Sequence, residues 1–201
     1  MPEKLDPYDY EAFKKSHTKF YVGCSNVETG KAEYLPITDM KEEIDRMRAS
    51  ASLPLVSKIV KTAGMKLLDG GCTDSIPVKA FVKMGYNKDV VVLTRHKGYR
   101  KEKEGISLTK LVYRKYPEFV KAVYKRPDVY NHTLDEIEKW EKEGKIFVIR
   151  PSVPLSIGRM EADQKKLKEV YELGRDDALR QIAAMKVFLA HRTDAHGNTQ
   201  Q

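Results

Sequence analysis

Apolar residues recur along this chain with two periods, and each predicts a different kind of element. Lys19-Phe20-Tyr21-Val22-Gly23-Cys24 and Lys31-Ala32-Glu33-Tyr34-Leu35 read as strands around Asn26-Val27-Glu28-Thr29-Gly30. That connection is turn-rich and has a glycine where positive φ is useful, so an antiparallel pair is expected. Met65-Lys66-Leu67-Leu68 reads as a strand that empties into Asp69-Gly70-Gly71. Asp89 to Thr94 and Lys145 to Arg150 are continuous apolar runs, of the kind found in parallel strands covered on both faces.

The helical period marks the rest. Ile44 to Ala51 predicts a short helix stopped ahead of Pro54, because the residue before a proline is pushed out of the α region. Ile76 to Gly85 begins beside Pro77 and ends at a glycine, the usual helix asymmetry, and would join the Asp69 strand to the Val90 strand as a βαβ unit. Leu108 to Tyr124 is helical with an interruption or restart at Pro117. Thr133, with Glu136 three residues on, reads as the cap of a charged helix that runs through Trp140 and ends at Gly144. Asp163 to about Leu189 carries Leu167, Val170, Tyr171, Ala178, Ile182 and Met185 on one stripe, and the tail from His191 is polar and expected to fray.

Two hundred and one residues suit one ordinary domain, expected over 1–190 with a polar tail at 191–201. Hydrophobic residues make up 41% and charged residues 33%, a globular balance. No apolar run approaches the roughly 20 residues of a spanning helix, and Met1 to Asp6 lacks the apolar segment of a secretory signal, so the expected location is the cytoplasm. Cys24 and Cys72 are too few and too far apart for a redox pair or zinc ribbon, and are expected as reduced thiols in or near the core.

The net charge of +8 is concentrated. Arg95 to Arg126 holds eleven basic and three acidic residues, which is the whole excess; the remainder is balanced. Tyr99, Tyr113, Tyr116, Phe119 and Tyr124 interleave with those charges. Three readings stay open for residues 95–126: peripheral docking on anionic lipid headgroups, non-specific nucleic-acid binding, and a solvated helix face.

Glycine spacing removes several chemistries. No two glycines are four apart, which excludes a GxSxG nucleophile elbow; none are two or five apart, which excludes GxGxxG and the P-loop. His17, His96, His132, His191 and His196 form no HExxH and no ligand pair at helical spacing; no metal and no cofactor are expected. The candidate for chemistry is Asp69, an acid directly after a strand with Gly70 and Gly71 behind it, where backbone can approach closely. Read by itself, Asp-Gly is also a strong hairpin-turn dipeptide.

The order and spacing of four segments resemble the patatin-like phospholipase family, in its bacterial members, over roughly Phe13 to Ala178. These are Phe20 to Gly30, Arg48-Ala49-Ser50-Ala51-Ser52-Leu53-Pro54, Leu68-Asp69-Gly70-Gly71 followed by Asp74-Ser75-Ile76-Pro77-Val78, and Tyr171-Glu172-Leu173-Gly174-Arg175-Asp176-Asp177-Ala178. The resemblance implies an α/β fold, a three-layer α/β/α sandwich with a mostly parallel sheet, and hydrolysis of lipid acyl esters by a serine and aspartate dyad. It implies that Asp69 is the dyad aspartate, taking the serine proton with no histidine between them. Carboxylates are weak bases near neutral pH, so burial or desolvation by substrate has to assist. Ser50 and Ser52 fall beside the family's active site as pocket or packing residues.

The chain departs from the pattern where the family has its glycine-rich oxyanion loop and GxSxG serine, upstream of every matched segment. A base without nucleophile or oxyanion hole has nothing to deprotonate, so this polypeptide alone is expected to be inactive. The expectation is the C-terminal part of a patatin-like hydrolase, with the N-terminal part of the family fold missing and a sheet edge that favours self-association or a partner chain. The alternative is a non-catalytic binding module using the basic face.

Overall fold

The computed structural model describes residues 7–158 and 161–190, and the chain divides into two compact units. The first takes the residues up to Pro77 together with Lys101–His132; the second takes Val78–Arg100 and the residues from Thr133 onward.

The first unit opens with a short helix, α1 (Tyr10–Lys15), capped by the Asp9 side chain on the Ala12 amide. It continues with β1 (Phe20–Asn26), β2 (Ala32–Ile37), α2 (Ile44–Ser50), β3 (Val60–Thr62) and β4 (Met65–Asp69). The four strands form one sheet in the order β2-β1-β4-β3, every pair antiparallel. The β1–β2 pair is the one its sequence pattern predicts. Asn26 Oδ1 accepts from the Glu28 and Thr29 amides, a local Asx turn, and Gly30 at φ 66° completes it.

Both faces of this sheet are apolar at its centre. Leu67 packs with Val22, Cys24, Ile37 and Ala49, whereas its neighbour Leu68 packs with Val27, Cys72, Tyr113 and Phe119. Successive strand residues point to opposite faces, so two adjacent leucines that are both fully buried mark a strand covered on both sides. Continuous apolarity here therefore reports a central antiparallel strand. The expected mostly parallel sheet does not form among the described residues: the larger sheet is wholly antiparallel, and mixed α/β is the class observed.

Two helices complete the unit, α4 (Ser107–Val112) and the start of α5 (Pro117–Lys142), a restart at Pro117 as the sequence predicts. Phe119, Val120 and Val123 lay one face of α5 on the Leu68 cluster. Its first turn comes so close to Gly30 that a Cβ there would lie 2.4 Å from the Glu118 carbonyl oxygen.

The second unit contains α3 (Val78–Lys83), β5 (Asp89–Val92), β6 (Ile146–Ile149), the later part of α5, and α6 (Gln164–Ala190). β5 and β6 pair in parallel. Val91 is buried and Val92 is 69% exposed, so β5 is not covered on both faces. β4 and β5 lie in different sheets, so α3 does not complete the expected βαβ unit. The helix expected to start at Thr133 does not start there either. α5 is one 26-residue helix running through Pro127, and Thr133 is buried within it. In α6 the predicted stripe faces water more than protein, with Leu167, Tyr171 and Ile182 all exposed, and Asp177 is its one buried residue among those described. The polar tail 191–201 lies outside the described residues.

Candidate functional site

Asp69 is the last residue of β4, opposite Cys24 of β1, and the chain turns at once into a 3-10 turn, Gly70–Cys72. The hairpin of this region is elsewhere: β3 and β4 are joined through Ala63 and Gly64, at the other end of β4. Asp69 is partly buried and is not at a hairpin tip.

Several groups fix it. Its amide donates to the Ser52 carbonyl at 2.9 Å, and its Oδ1 accepts from the Gly71 amide at 2.7 Å. Its carbonyl accepts from the Ser25 hydroxyl at 2.7 Å. Ser25 is fully buried, and its hydroxyl also shares a hydrogen bond with the Thr73 hydroxyl at 2.8 Å, in which either oxygen can donate. Oδ2 of Asp69 takes no hydrogen bond from any described residue, which leaves one carboxylate oxygen available for a proton.

The two glycines behind Asp69 do different things. A Cβ on residue 70 would lie 2.4 Å from the Gly23 carbonyl oxygen, so only glycine lets the turn lean against β1. A Cβ on residue 71 would sit 2.9 Å from Asp69 Oδ1, 3.5 Å from a terminal nitrogen of Arg126 and 3.7 Å from Ser75 Oγ, so these groups close around the glycine too tightly for a side chain to enter without moving one of them. The turn continues into Asp74, whose Oδ2 accepts from the Tyr34 hydroxyl and whose Oδ1 accepts from the Ile76 amide. Burial, together with that bond, holds the Tyr34 hydroxyl well above its ordinary range.

Both cysteines are free and buried beside this turn, as their sequence context suggests. Burial first, and then the Asp69 charge, pushes the Cys72 thiol up to about 12, against an opposing pull from Arg126. The same two causes, with Glu33 added, push Cys24 up to about 11. Neither is a nucleophile near neutral pH. Ser50 and Ser52 donate to the carbonyls of Gly23 and Arg48, so both hydroxyls act on backbone, in keeping with packing residues. His17 and His132 are exposed, and His96 stands edge-on to Tyr99.

The basic segment is partly compensated. Within the first unit Lys103 pairs with Asp128, Lys121 with Glu118, and Lys101 lies over the Tyr130 ring; within the second, Arg100 pairs with Asp135. Lys110, Arg114, Lys115 and Lys125 form no ion pair among the described residues. Beside them α4 exposes Leu108, Leu111 and Val112.

The sequence marks Asp69 and its glycines and leaves three of their neighbours unmarked. Ser25 and Thr73 lie inside or next to the matched segments but have no spacing that marks them. Arg126 stands out in the sequence only as one basic charge among eleven.

Residues 116–190 match a family described as a domain of unknown function, DUF6363, which spans less than half of the chain. No curated protein matches the chain.

Proposed function

We propose that this chain carries the acid half of a patatin-like serine acyl hydrolase site, with Asp69 as general base and the serine supplied by polypeptide outside these 201 residues. The observation that carries the reading is the setting of Asp69: a carboxylate at a strand end, held by one oxygen, with the other available, on a turn whose glycine is wedged against the neighbouring strand. In the reaction Asp69 takes the proton of a serine hydroxyl as that oxygen attacks the ester carbonyl. The proton then passes to the departing alcohol, and water releases the acyl group by the same route. In this reading the three-layer sandwich of the family is completed only when the serine-bearing segment joins the antiparallel sheet, whose edge strands β2 and β3 have no further partner among the described residues.

A serine-directed fluorophosphonate probe tests this on the chain alone and on the chain fused to an upstream GxSxG-bearing segment of the family. Labelling of the fusion only, with ester hydrolysis abolished by Asp69→Asn at unchanged circular dichroism, is the expected result. Full hydrolysis by the Asp69→Asn fusion would overturn it.

A second reading has its own observation, the exposed face of α4. Leu108, Leu111 and Val112 beside Lys110, Arg114 and Lys115 make an apolar patch rimmed by cations, which suits an anionic membrane surface. Co-sedimentation with phosphatidylglycerol vesicles but not phosphatidylcholine vesicles supports it, and equal retention by both sinks it. A salt-sensitive shift of duplex DNA in place of vesicle binding would favour nucleic acid.

A further inference from the structure

Near its middle α6 has a glycine that nothing else in the chain calls for. Glycine inside a helix costs about 0.5–1 kcal/mol relative to alanine, yet a Cβ at Gly174 would meet nothing within 4 Å. Gly174 lies on the apolar stripe of the helix, between Tyr171 at 66% exposed and Ile182 at 40%. The helix packs on its own unit by a different face. There Asp177 accepts from the Ser152 amide and Phe188 lies against Phe147, roughly 90° around the axis from the stripe. Along the stripe the spacing is 4-3-4 from Leu167 to Ala178 and 4-3-4 again from Ala178 to Leu189, an eleven-residue repeat that keeps it almost straight. That order is symmetric about Ala178. Laid antiparallel on a copy of itself, Leu167 meets Leu189, Tyr171 meets Met185, the space at Gly174 receives Ile182, and Ala178 meets Ala178.

We propose that α6 is a self-association face, on which two copies of this chain pair through antiparallel α6 helices about a two-fold axis at Ala178. This goes beyond the hydrolase reading and does not rest on it. An isologous interface needs one surface that is complementary to itself, and a stripe whose large and small side chains match under a two-fold rotation meets that need; a lipid surface would not select such an order. The stripe, with the stems of Lys168, Arg175 and Lys186 along its rim, offers about 500 Å² a copy, roughly 1,000 Å² in all, which is the size of a weak, reversible dimer. All three rim cations are exposed. In the antiparallel pair Lys168 comes nearly level with Lys186 of the second copy on the same side. Those like charges oppose the pairing, so added salt should strengthen it.

Sedimentation velocity on the intact chain, from about 1 µM to about 500 µM, tests this, and a monomer–dimer equilibrium within that range is expected. Gly174→Gln fills the space meant for Ile182 and should weaken pairing by about tenfold or more, as should Tyr171→Glu, while Leu179→Ser, 48% exposed but off the stripe, leaves it unchanged. Because glutamine favours helix over glycine and meets no neighbour there, circular dichroism of Gly174→Gln should show helix content undiminished. Lys168→Glu should tighten pairing by about fivefold at low salt and reverse the salt dependence. Under mild oxidation Ala178→Cys should cross-link to itself, and Leu167→Cys should cross-link to Leu189→Cys but not to itself; Cys24 and Cys72 are buried and take no part. A monomer at every concentration overturns the proposal. So does association that Gly174→Gln and Tyr171→Glu leave intact, which would assign it to the sheet edges, or an equal loss with Leu179→Ser. Self-linking of Leu167→Cys without that of Ala178→Cys overturns the antiparallel pair. A chain that stays monomeric and binds phosphatidylglycerol vesicles, with Tyr171→Glu abolishing that binding, overturns the proposal in favour of a membrane surface.

Discussion

The carbonyl oxygen of Gly23 stands 2.4 Å from the point a Cβ on residue 70 would occupy, and the adjoining carbonyl carbon 2.5 Å from it. Real side chains do not approach backbone that closely. The Gly23 carbonyl also accepts from the Ser50 hydroxyl at 2.7 Å, which limits its freedom to move. This contact between β1 and the turn sets where Asp69 lies.

Gly70→Ala should therefore lower stability by about 1–3 kcal/mol or more, by overpacking against backbone. Gly105→Ala, where nothing lies within 4 Å, is the control and should stay within about 0.5 kcal/mol of the parent. Urea denaturation of the two variants checks the difference.

Ser25→Ala removes the hydrogen bond to the Asp69 carbonyl and the one shared with the Thr73 hydroxyl in a site closed to water. The expected loss is about 1–3 kcal/mol, the cost of leaving a buried polar group unpaired. Chemical denaturation measures it. A loss below about 0.5 kcal/mol would mean that the turn does not depend on this bond.

The two thiols predict an alkaline limit. Their folded values, about 12 for Cys72 and about 11 for Cys24, lie above the ordinary thiol value of 9.0. The folded state then keeps protons that the unfolded state releases. Their contribution to stability is fully present below pH 9 and falls as the pH rises through 11 to 12. Stability measured by denaturant from pH 8 to 11 should drop more in the parent than in Cys72→Ala, and a thiol reagent at pH 8 should react with both cysteines only after denaturation.

Asp177 predicts the opposite limit. Burial pushes its carboxyl up, but the Ser152 amide at 2.9 Å and the Arg180 guanidinium outweigh that and hold it below the usual carboxylate range. A depressed folded value contributes stability above the unfolded pKa and loses it as the pH falls. Asp177→Ala should cost about 1–3 kcal/mol at pH 7, from the unpaired Ser152 amide and lost ion pair, with a gap to the parent that narrows below about pH 4. Denaturation at pH 7 and pH 3.5 tests both parts.

Much of the local structure is written in short-range chemistry. The β1–β2 pair follows from strand-forming runs around an Asx turn closed by a positive-φ glycine, and the restart at Pro117 follows from proline's fixed φ and missing amide. The strand leading to Asp69 was equally legible. Where local signals failed, a longer-range term had overridden them. Thr133 and Glu136 have the form of a capping box, yet burial of Leu134 and Ile137 is better satisfied by continuing α5 than by starting a new helix. The apolar run at Leu67 and Leu68 fits a strand covered on both faces, and nothing in such a run specifies the direction of its neighbours.

The amino-acid order alone determined that an acid would end a strand with two residues lacking side chains behind it, because strand propensity and glycine are properties of a few consecutive positions. Only the tertiary structure decided that Ser25 would hold that acid's carbonyl, that Gly23 would close against Gly70, and that Arg126 would arrive beside it from 57 residues away. Those relations arise when packing brings separated segments together, and pairwise distances between remote residues leave no period in a sequence.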